Sequence, residues 1–347
     1  MWHVLGVAVA AQVGVSVIDQ GMPTLTGFIK ADLNISAATA GLAVSSFAAG
    51  KIFGSYAAGV AADRLGERRV LVFGALTTAS FAAIASFAPL AVVFPLLFLA
   101  GVAGASSTPA GGRLVLLAFP RSRHGLALGI RQTGIPMGGL IAAAVLPWVA
   151  GRSSWRWSLL VAAGIAVVAV IPMVRLRLDR TAPVTPPPEK THGVLRDRNI
   201  GLLTLWGCLV VTGQYAILAF LALYLHQRAG FSLGKGSLLV AVANASGIVG
   251  RVAWGAVSDR AVARGRKPLL LVLTAACLAG ALLLLALPRS APGLVVVAVA
   301  IFAGVALIGY QGLWVTMIAE AAGPQRVGTA MGFAVTFVTV SIAVSPR

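Results

Sequence analysis

The sequence is poor in acidic residues, in cysteine and in histidine. Only 9 of its 347 residues are Asp or Glu, and charged residues of both signs together make up 10%. The 2 Cys and 4 His residues are scattered singly, without the close spacing of metal ligands or of a redox pair. A Gly-x-x-x-x-Gly-Lys-Ser/Thr loop is missing, so the sequence does not support an ATP-driven pump. Since the apolar stretches also show no nucleophile and base pair, we expect no catalytic residue, no metal, no cofactor and no enzyme activity.

What the sequence has in abundance is apolar residues in long runs. They make up 59% of the chain, above the roughly 45–50% of soluble domains, and the mean hydropathy is +0.93. Each run is long enough for a membrane helix of about 20 residues and lacks the in-out alternation of a barrel strand. We number the eleven runs as spans one to eleven; they lie near residues 4–29, 38–61, 70–88, 92–118, 125–149, 157–174, 200–225, 234–257, 268–287, 294–319 and 327–345. This pattern predicts an all-α polytopic membrane protein.

The net charge of +18 is explained by where the basic residues lie. With a cytoplasmic N-terminus, sixteen Lys and Arg residues fall in the inner connections and six in the outer ones. This distribution follows the positive-inside rule, which makes the lipid bilayer the partner and argues against nucleic acid. We expect a monomeric, multi-pass protein of the cell membrane with its N-terminus in the cytoplasm.

The chain divides at a proline-rich stretch and repeats itself on either side. Residues 176–199 form the predicted cytoplasmic linker between an N-terminal six-span bundle, 1–175, and a C-terminal five-span bundle, 200–347. The segment Gly59–Arg69, here called the first charged turn, returns 196 residues later in a second charged turn, Gly255–Lys267. Gly125 in span five is matched by Gly328 in span eleven, at an offset of 203. Halves repeated in this way are typical of parallel-repeat transporters.

The first charged turn resembles the Gly-x-Leu-Ala-Asp-Arg-x-Gly-Arg-Lys pattern of the major facilitator superfamily. The match consists of Gly59, Ala62, Asp63, Arg64, Gly66 and Arg68, with Ala61 in the place of Leu and Glu67 in the place of a basic residue. The resemblance extends over the whole chain and implies two pseudo-symmetric bundles with twelve spans in a complete member. Because this chain stops at about the end of the eleventh span, a truncated reading frame or a fragment is expected before a native eleven-span protein.

The resemblance also implies a gating role for the charged turns. Asp63 would hold the end of span two against the start of span eleven, around Val327 and Gly328, in the outward-facing state, with Arg113 in the same network. The alternative is a solvated basic turn that only fixes topology, which explains the arginines but not Asp63. The predicted gating residues are Gly59, Asp63, Arg64, Gly66, Arg68, Arg69, Arg113, Gly255, Asp259, Arg260, Gly265, Arg266 and Lys267.

Charged side chains inside the spans mark the predicted transport site. Asp19, Lys51, Arg131 and Arg251 fall in spans one, two, five and eight, where a charge costs about 2.5–3.5 kcal/mol to insert. Asp19 could bind a proton or a cationic group, or simply pair with Lys51 or Arg131 for stability. Arg131 cannot lose its proton and forks onto carboxylate or phosphate, which makes an anionic solute plausible.

Polar and aromatic residues in the spans complete the predicted site, although each also fits a helix-packing role. The further solute and proton residues are Gln20, Gln132, Gln214, Tyr215, Asn244, Tyr310, Gln311 and Trp314. We predict a secondary transporter that moves a small organic solute between the halves by alternating access, driven by the gradient of the solute or of a coupled proton. Drug/proton efflux is the main competing function, but Ile135 interrupts the antiporter pattern of span five and residues 97–110 carry no basic residue. A non-transporting membrane sensor or an inactive truncated paralogue is less favoured.

Overall fold

The computed structural model describes residues 1–176, 192–229, 231–261, 265–288 and 291–344. Within these ranges the chain is helical throughout and contains no strand. The helices are Trp2–Leu33, Ala37–Leu65, Glu67–Phe87, Leu90–Gly104, Ser107–Ala118, His124–Gln132, Gly134–Arg152, Trp155–Arg175, His192–Leu195, Arg198–Ala229, Leu233–Arg260, Lys267–Leu285, Gly293–Ala303, Gln311–Ala322 and Val327–Val344, with a 3-10 turn at Arg121–Arg123 and a π-helical segment at Gly304–Ile308. Most of the predicted linker, residues 177–191, lies outside the described residues.

Local sequence explains where several helices begin. Ser36 caps span two by accepting a hydrogen bond from the Thr39 amide at 3.0 Å, and Ser232 caps span eight by accepting one from the Lys235 amide at 3.3 Å. These two caps stand 196 residues apart, the same offset as the two charged turns. The repeat seen in the sequence therefore extends to the start of the helices that carry those turns.

All eleven predicted spans are helical, and ten of the helical stretches in the described ranges are long and apolar enough to cross a membrane. The exception is span two, the helix Ala37–Leu65, which is long enough at 29 residues. Its mean hydropathy is lowered by Lys51 and by the serines and glycines with which it packs. The multi-pass, all-helical architecture expected from the apolar runs is thus confirmed.

Spans four, five and ten are interrupted partway along their length. Span four breaks at Ala105–Ser106, and span five breaks at Thr133. In both, a proline occurs in the first turn of the following helix, Pro109 and Pro136 respectively, where a missing N–H costs no hydrogen bond. Span ten instead loosens into the π-helical segment Gly304–Ile308 before its last helix begins. These breaks free backbone carbonyl groups inside the spans, and those groups need other partners.

The first compact unit comprises Met1–Ala118, Gly134–Gly201 and Ile318–Thr339. Its core is built from small and branched apolar residues around the fully buried side chains of Phe47, Leu146 and Trp155. The Trp155 indole N–H also donates to Asp32 at 2.8 Å, and Arg156 donates to the Ser86 carbonyl at 2.9 Å. Span six is thereby joined to the ends of spans one and three.

The second compact unit comprises Phe119–Thr133, Leu202–Met317 and Val340–Arg347. Spans five, eight and ten approach closely in it because they carry glycine at the crossing. A Cβ atom on Gly312 would lie 3.3 Å from the Cα atom of Gly129 and 3.1 Å from the carbonyl carbon of Arg251. The division of the sequence into 1–175 and 200–347 concerns chain order and repetition, and it stays a prediction.

Candidate gating and transport site

Asp63 caps the first turn of span eleven. Its Oδ1 atom accepts a hydrogen bond from the Gly328 amide at 3.0 Å, and its Oδ2 atom accepts from the Thr329 amide and the Thr329 hydroxyl, each at 2.7 Å. The first amides of a helix have no partner within the helix and carry a partial positive charge, so a buried carboxylate is stabilised there. A Cβ atom on Gly59 would collide with the Gly328 carbonyl, which explains why glycine stands at this crossing.

Arg113 joins Asp63 to Glu67. Its Nε atom lies 3.1 Å from Asp63 Oδ1, and its Nη1 atom donates to Glu67 Oε2. Glu67 is the residue that departs from the family pattern, and sequence reasoning gave it no role. The structure shows it buried, in the first turn of span three, where an acidic side chain suits the helix dipole. The acidic residue at that position could have been recognised as a second partner for a nearby arginine.

The remaining residues of the first charged turn lie outside the contact between Asp63 and span eleven. Gly66 has a φ angle of 93°, a conformation that side chains disfavour, and it separates the helices of spans two and three. Arg68 donates to the last carbonyls of span six, Met173 O at 3.1 Å and Val174 O. Arg64 and Arg69 are exposed, as expected of residues that fix topology.

The second charged turn repeats the helix-capping contact. Asp259 Oδ1 accepts from the Gly125 amide at 2.7 Å, and Oδ2 accepts from the Leu126 amide at 2.8 Å, at the start of the helix His124–Gln132. Arg266 Nη2 lies 3.3 Å from Asp259 Oδ1, and Arg266 Nη1 donates to the Ser258 hydroxyl. Sequence reasoning did not name the partner of Asp259. The sequence repeat could have identified this partner, because Gly125 is the repeat equivalent of Gly328.

Four further residues of that turn have structural or surface positions. Gly255 packs against the Gly125 backbone, where a Cβ atom would collide with the Gly125 carbonyl. Gly265 has a φ angle of 79° and lies between the described ends of spans eight and nine. Arg260 and Lys267 are exposed. The capping carboxylate and its arginine are therefore the buried, interacting part of the turn.

Asp19 pairs with Lys51. Lys51 Nζ lies 2.7 Å from Asp19 Oδ2, and the side-chain Nε2 atom of Gln20 donates to the same oxygen at 3.4 Å. The side chains of Asp19 and Lys51 are 19% and 27% exposed, so the pair is only partly buried. The structure thus connects spans one and two through an ion pair that sequence reasoning had considered for Asp19.

Two arginines lie buried near the helix breaks of the second unit. Arg131 has no exposed surface, and its Nη1 atom donates to the side-chain oxygen of Gln132 at 3.0 Å. Arg251 is 3% exposed, and its Nη1 atom donates to the Gln132 carbonyl at 2.6 Å while its Nε atom donates to the Ile308 carbonyl at 3.4 Å. Within the described ranges, Arg251 forms no ion pair with a carboxylate. Tyr215 and Tyr310 lie near Arg251.

The aromatic residues of span ten belong to a packed cluster. The rings of Trp206 and Tyr310 meet edge-on with centroids 5.6 Å apart, and those of Tyr310 and Trp314 lie 6.1 Å apart. The Trp314 indole N–H donates to the Leu203 carbonyl at 2.8 Å, which joins spans seven and ten. These contacts suit a helix-packing role for Trp314.

The other predicted polar residues lie on spans seven, eight and ten. Gln214 is buried, and its side-chain oxygen has no hydrogen-bond partner in the described part of the chain. Asn244 is half-buried, two helical turns before Arg251 and on the same face of span eight. Gln311 is half-buried beside Tyr310. Spans seven, eight and ten of the second unit therefore each carry a buried or half-buried polar side chain.

Comparison with known proteins finds a matching family model, relatives in sequence and solved structures with the same fold. The sequence model of the Major Facilitator Superfamily matches residues 7–346. The chain is 32% identical to an uncharacterized MFS-type transporter of Mycobacterium tuberculosis, over 91% of this chain and 69% of that one. It is 26% identical to the gentisate transporter of Corynebacterium glutamicum, over 93% of this chain and 75% of that one. The solved proton:xylose symporter XylE shares the fold with a TM-score of 0.73 at 16% identity, over 98% of this chain and 86% of that one.

Proposed function

This chain belongs to the major facilitator superfamily of transporters, and we propose that it is a secondary transporter of a small organic anion. The observation that carries the proposal is Arg131, a permanently charged side chain with no exposed surface in the interior of span five. A buried guanidinium is costly inside a membrane and is retained where it binds something. The gentisate transporter among the relatives is named for an organic anion, which supports the same class of solute.

The proposed mechanism is alternating access between the repeated halves, 1–175 and 200–347, joined by the linker 176–199. Asp63 and Asp259 cap the starts of a helix in span eleven and in span five, respectively. Opening of either contact would expose a carboxylate and the helix amides to water, so each contact can act as a reversible gate. The direction of transport follows from the gradients and not from these contacts.

The coupling residue in this proposal is Asp19. Its partner Lys51 lies 2.7 Å away, so protonation of the carboxylate would end the ion pair and free the ammonium group. Movement of the solute down its own gradient requires no such step. If transport is driven by protons, uptake should depend on pH, and this pH dependence should disappear when Asp19 is replaced. If transport is facilitated diffusion, replacing Asp19 should not change the pH dependence of uptake.

The test is uptake into proteoliposomes of the purified full chain, with radiolabelled gentisate, a sugar acid and a cationic dye as solutes. We expect transport of at least one anion but not of the dye, and we expect Arg131→Gln to reduce the anion flux by about 100-fold, the cost of removing one partner of a buried charge pair. Arg152→Gln is the matched control, because Arg152 is exposed at the far end of the same span. The proposal would be wrong if Arg131→Gln left the anion flux unchanged. It would also be wrong if the wild type transported the dye but neither anion.

A further inference from the structure

Arg251 is a buried cation whose charge is not neutralised by the described part of the chain. Its two hydrogen-bond acceptors, the carbonyls of Gln132 and Ile308, are neutral groups. A guanidinium has five N–H groups, and these two bonds use two of them. The other three N–H groups form no hydrogen bond with the described residues, although Arg251 is only 3% exposed. A buried charge in this condition is unstable unless a partner of opposite sign joins it.

The two acceptors have a common origin in the helix breaks. Gln132 is the last residue of its helix before the break at Thr133, and Ile308 is the last residue of the π-helical segment in span ten. Both carbonyls have lost regular helical partners, so they are free to accept from a side chain. They hold the guanidinium by its Nε and Nη1 atoms, at 3.4 Å and 2.6 Å, and thereby fix the orientation of its plane.

Two tyrosines of the second unit lie near this cation. The neutral phenol groups of Tyr215 and Tyr310 lie near Arg251. Gln214, the neighbour of Tyr215 in span seven, has a buried side-chain oxygen without a hydrogen-bond partner in the described ranges. Spans seven and ten therefore place tyrosine hydroxyl groups near the fixed guanidinium of span eight. A carboxylate with two oxygens in a plane suits the remaining N–H groups and can also accept from a tyrosine hydroxyl.

We propose that Arg251 is a carboxylate-binding residue of the transporter, which presents its remaining N–H groups to the carboxylate of the solute while the carbonyls of Gln132 and Ile308 hold it in place. The inference rests on the proposed function and deepens it, because it gives the solute a carboxylate group and places that group against span eight. Arg251 supplies one positive charge, so one carboxylate neutralises it.

The test is binding of two matched compounds to the purified full chain in lipid nanodiscs by titration calorimetry. Gentisate carries the carboxylate, and gentisyl alcohol has the same ring with a hydroxymethyl group in its place. We expect the wild type to prefer gentisate, and Arg251→Gln to weaken gentisate binding about 100-fold, as loss of a buried charge partner does, with little change for the alcohol. General damage to the fold would weaken both compounds, so the ratio of the two affinities measures the carboxylate contact itself.

Two further variants complete the experiment. Lys235→Gln removes one positive charge from the exposed start of the same helix and should leave the ratio unchanged. If Arg251→Gln does not fold, Arg251→Lys keeps the charge without the planar fork, and we expect a gentisate affinity about tenfold below the wild type. An unchanged preference for gentisate in the folded Arg251 variant overturns the inference. If Arg131→Gln abolishes that preference in the same experiment, the proposed function still stands. Equal affinity of the wild type for both compounds overturns the inference and the proposed function together.

Discussion

Replacing Asp63 by Asn should open the start of span eleven. The carboxylate accepts three hydrogen bonds from Gly328 and Thr329, at 3.0, 2.7 and 2.7 Å, and it lies 3.1 Å from the Arg113 Nε atom. Hydrogen bonds to a charged group contribute about 1.5–3 kcal/mol each, whereas neutral ones contribute about 1 kcal/mol. The Asn side chain keeps one acceptor oxygen and places an N–H₂ group where the second carboxylate oxygen was. We therefore expect the contact to lose about 3 kcal/mol.

The assay is amide hydrogen exchange of residues 327–332 in the purified protein, measured by mass spectrometry. If the amides exchange through local opening, a loss of about 3 kcal/mol accelerates them by roughly 100-fold. Asp197→Asn is the matched control, because Asp197 caps the start of span seven instead, by accepting from the Asn199 amide at 2.9 Å and from the Ile200 amide at 3.3 Å. Exchange that is equally slow in Asp63→Asn and in the wild type would refute the role of the carboxylate. Faster exchange in the Asp197→Asn control would assign the effect to general destabilisation.

Two further predictions concern Glu67 and Asp19. Glu67→Gln removes the second carboxylate from Arg113 but leaves Asp63 in place, so we expect the protein to lose about 1–2 kcal/mol of stability, less than Asp63→Asn, in thermal unfolding followed by tryptophan fluorescence. A larger loss than that of Asp63→Asn would contradict this order. Asp19→Asn ends the ion pair with Lys51, and we expect gentisate uptake into proteoliposomes, measured as a function of external pH, to lose its pH dependence. Retention of the wild-type pH profile would exclude Asp19 as the proton site.

Much of the fold is determined by features that can be recognised in the sequence. Apolar runs of sufficient length give helices in lipid, because no other element satisfies its own backbone groups there. The first charged turn and its resemblance to the family indicated that Asp63 reaches the start of span eleven, and the structure places the carboxylate on Gly328 and Thr329. Its role in gating stays a prediction. The breaks at Thr133 and Ala105–Ser106 could be anticipated only in part, from the prolines that follow them.

The environment of Arg251 could not be predicted from the sequence in the same way. Its position inside span eight marked it as a buried charge, but its acceptors lie 119 residues before it and 57 residues after it. Neither acceptor is a side chain, so residue type gives no indication of the contact. The contact depends on two helices breaking at the right height and on Gly129 and Gly312 allowing spans five and ten to approach span eight. Such a site arises from tertiary packing, which local patterns do not specify.

The two charged turns show which part of the repeated unit has been kept and which part has changed. In both, a carboxylate accepts from the amides of the second and third residues of a helix, and the second residue is a glycine, Gly328 in one unit and Gly125 in the other. The arginine that accompanies the carboxylate comes from span four in the first turn, as Arg113, but from the turn itself in the second, as Arg266. Arg113 also binds Glu67, which occupies a position that is basic in the family pattern. Because the helix cap requires a carboxylate at one position and the cation only has to reach it, a substitution at Glu67 can change how the cation is held without changing the cap.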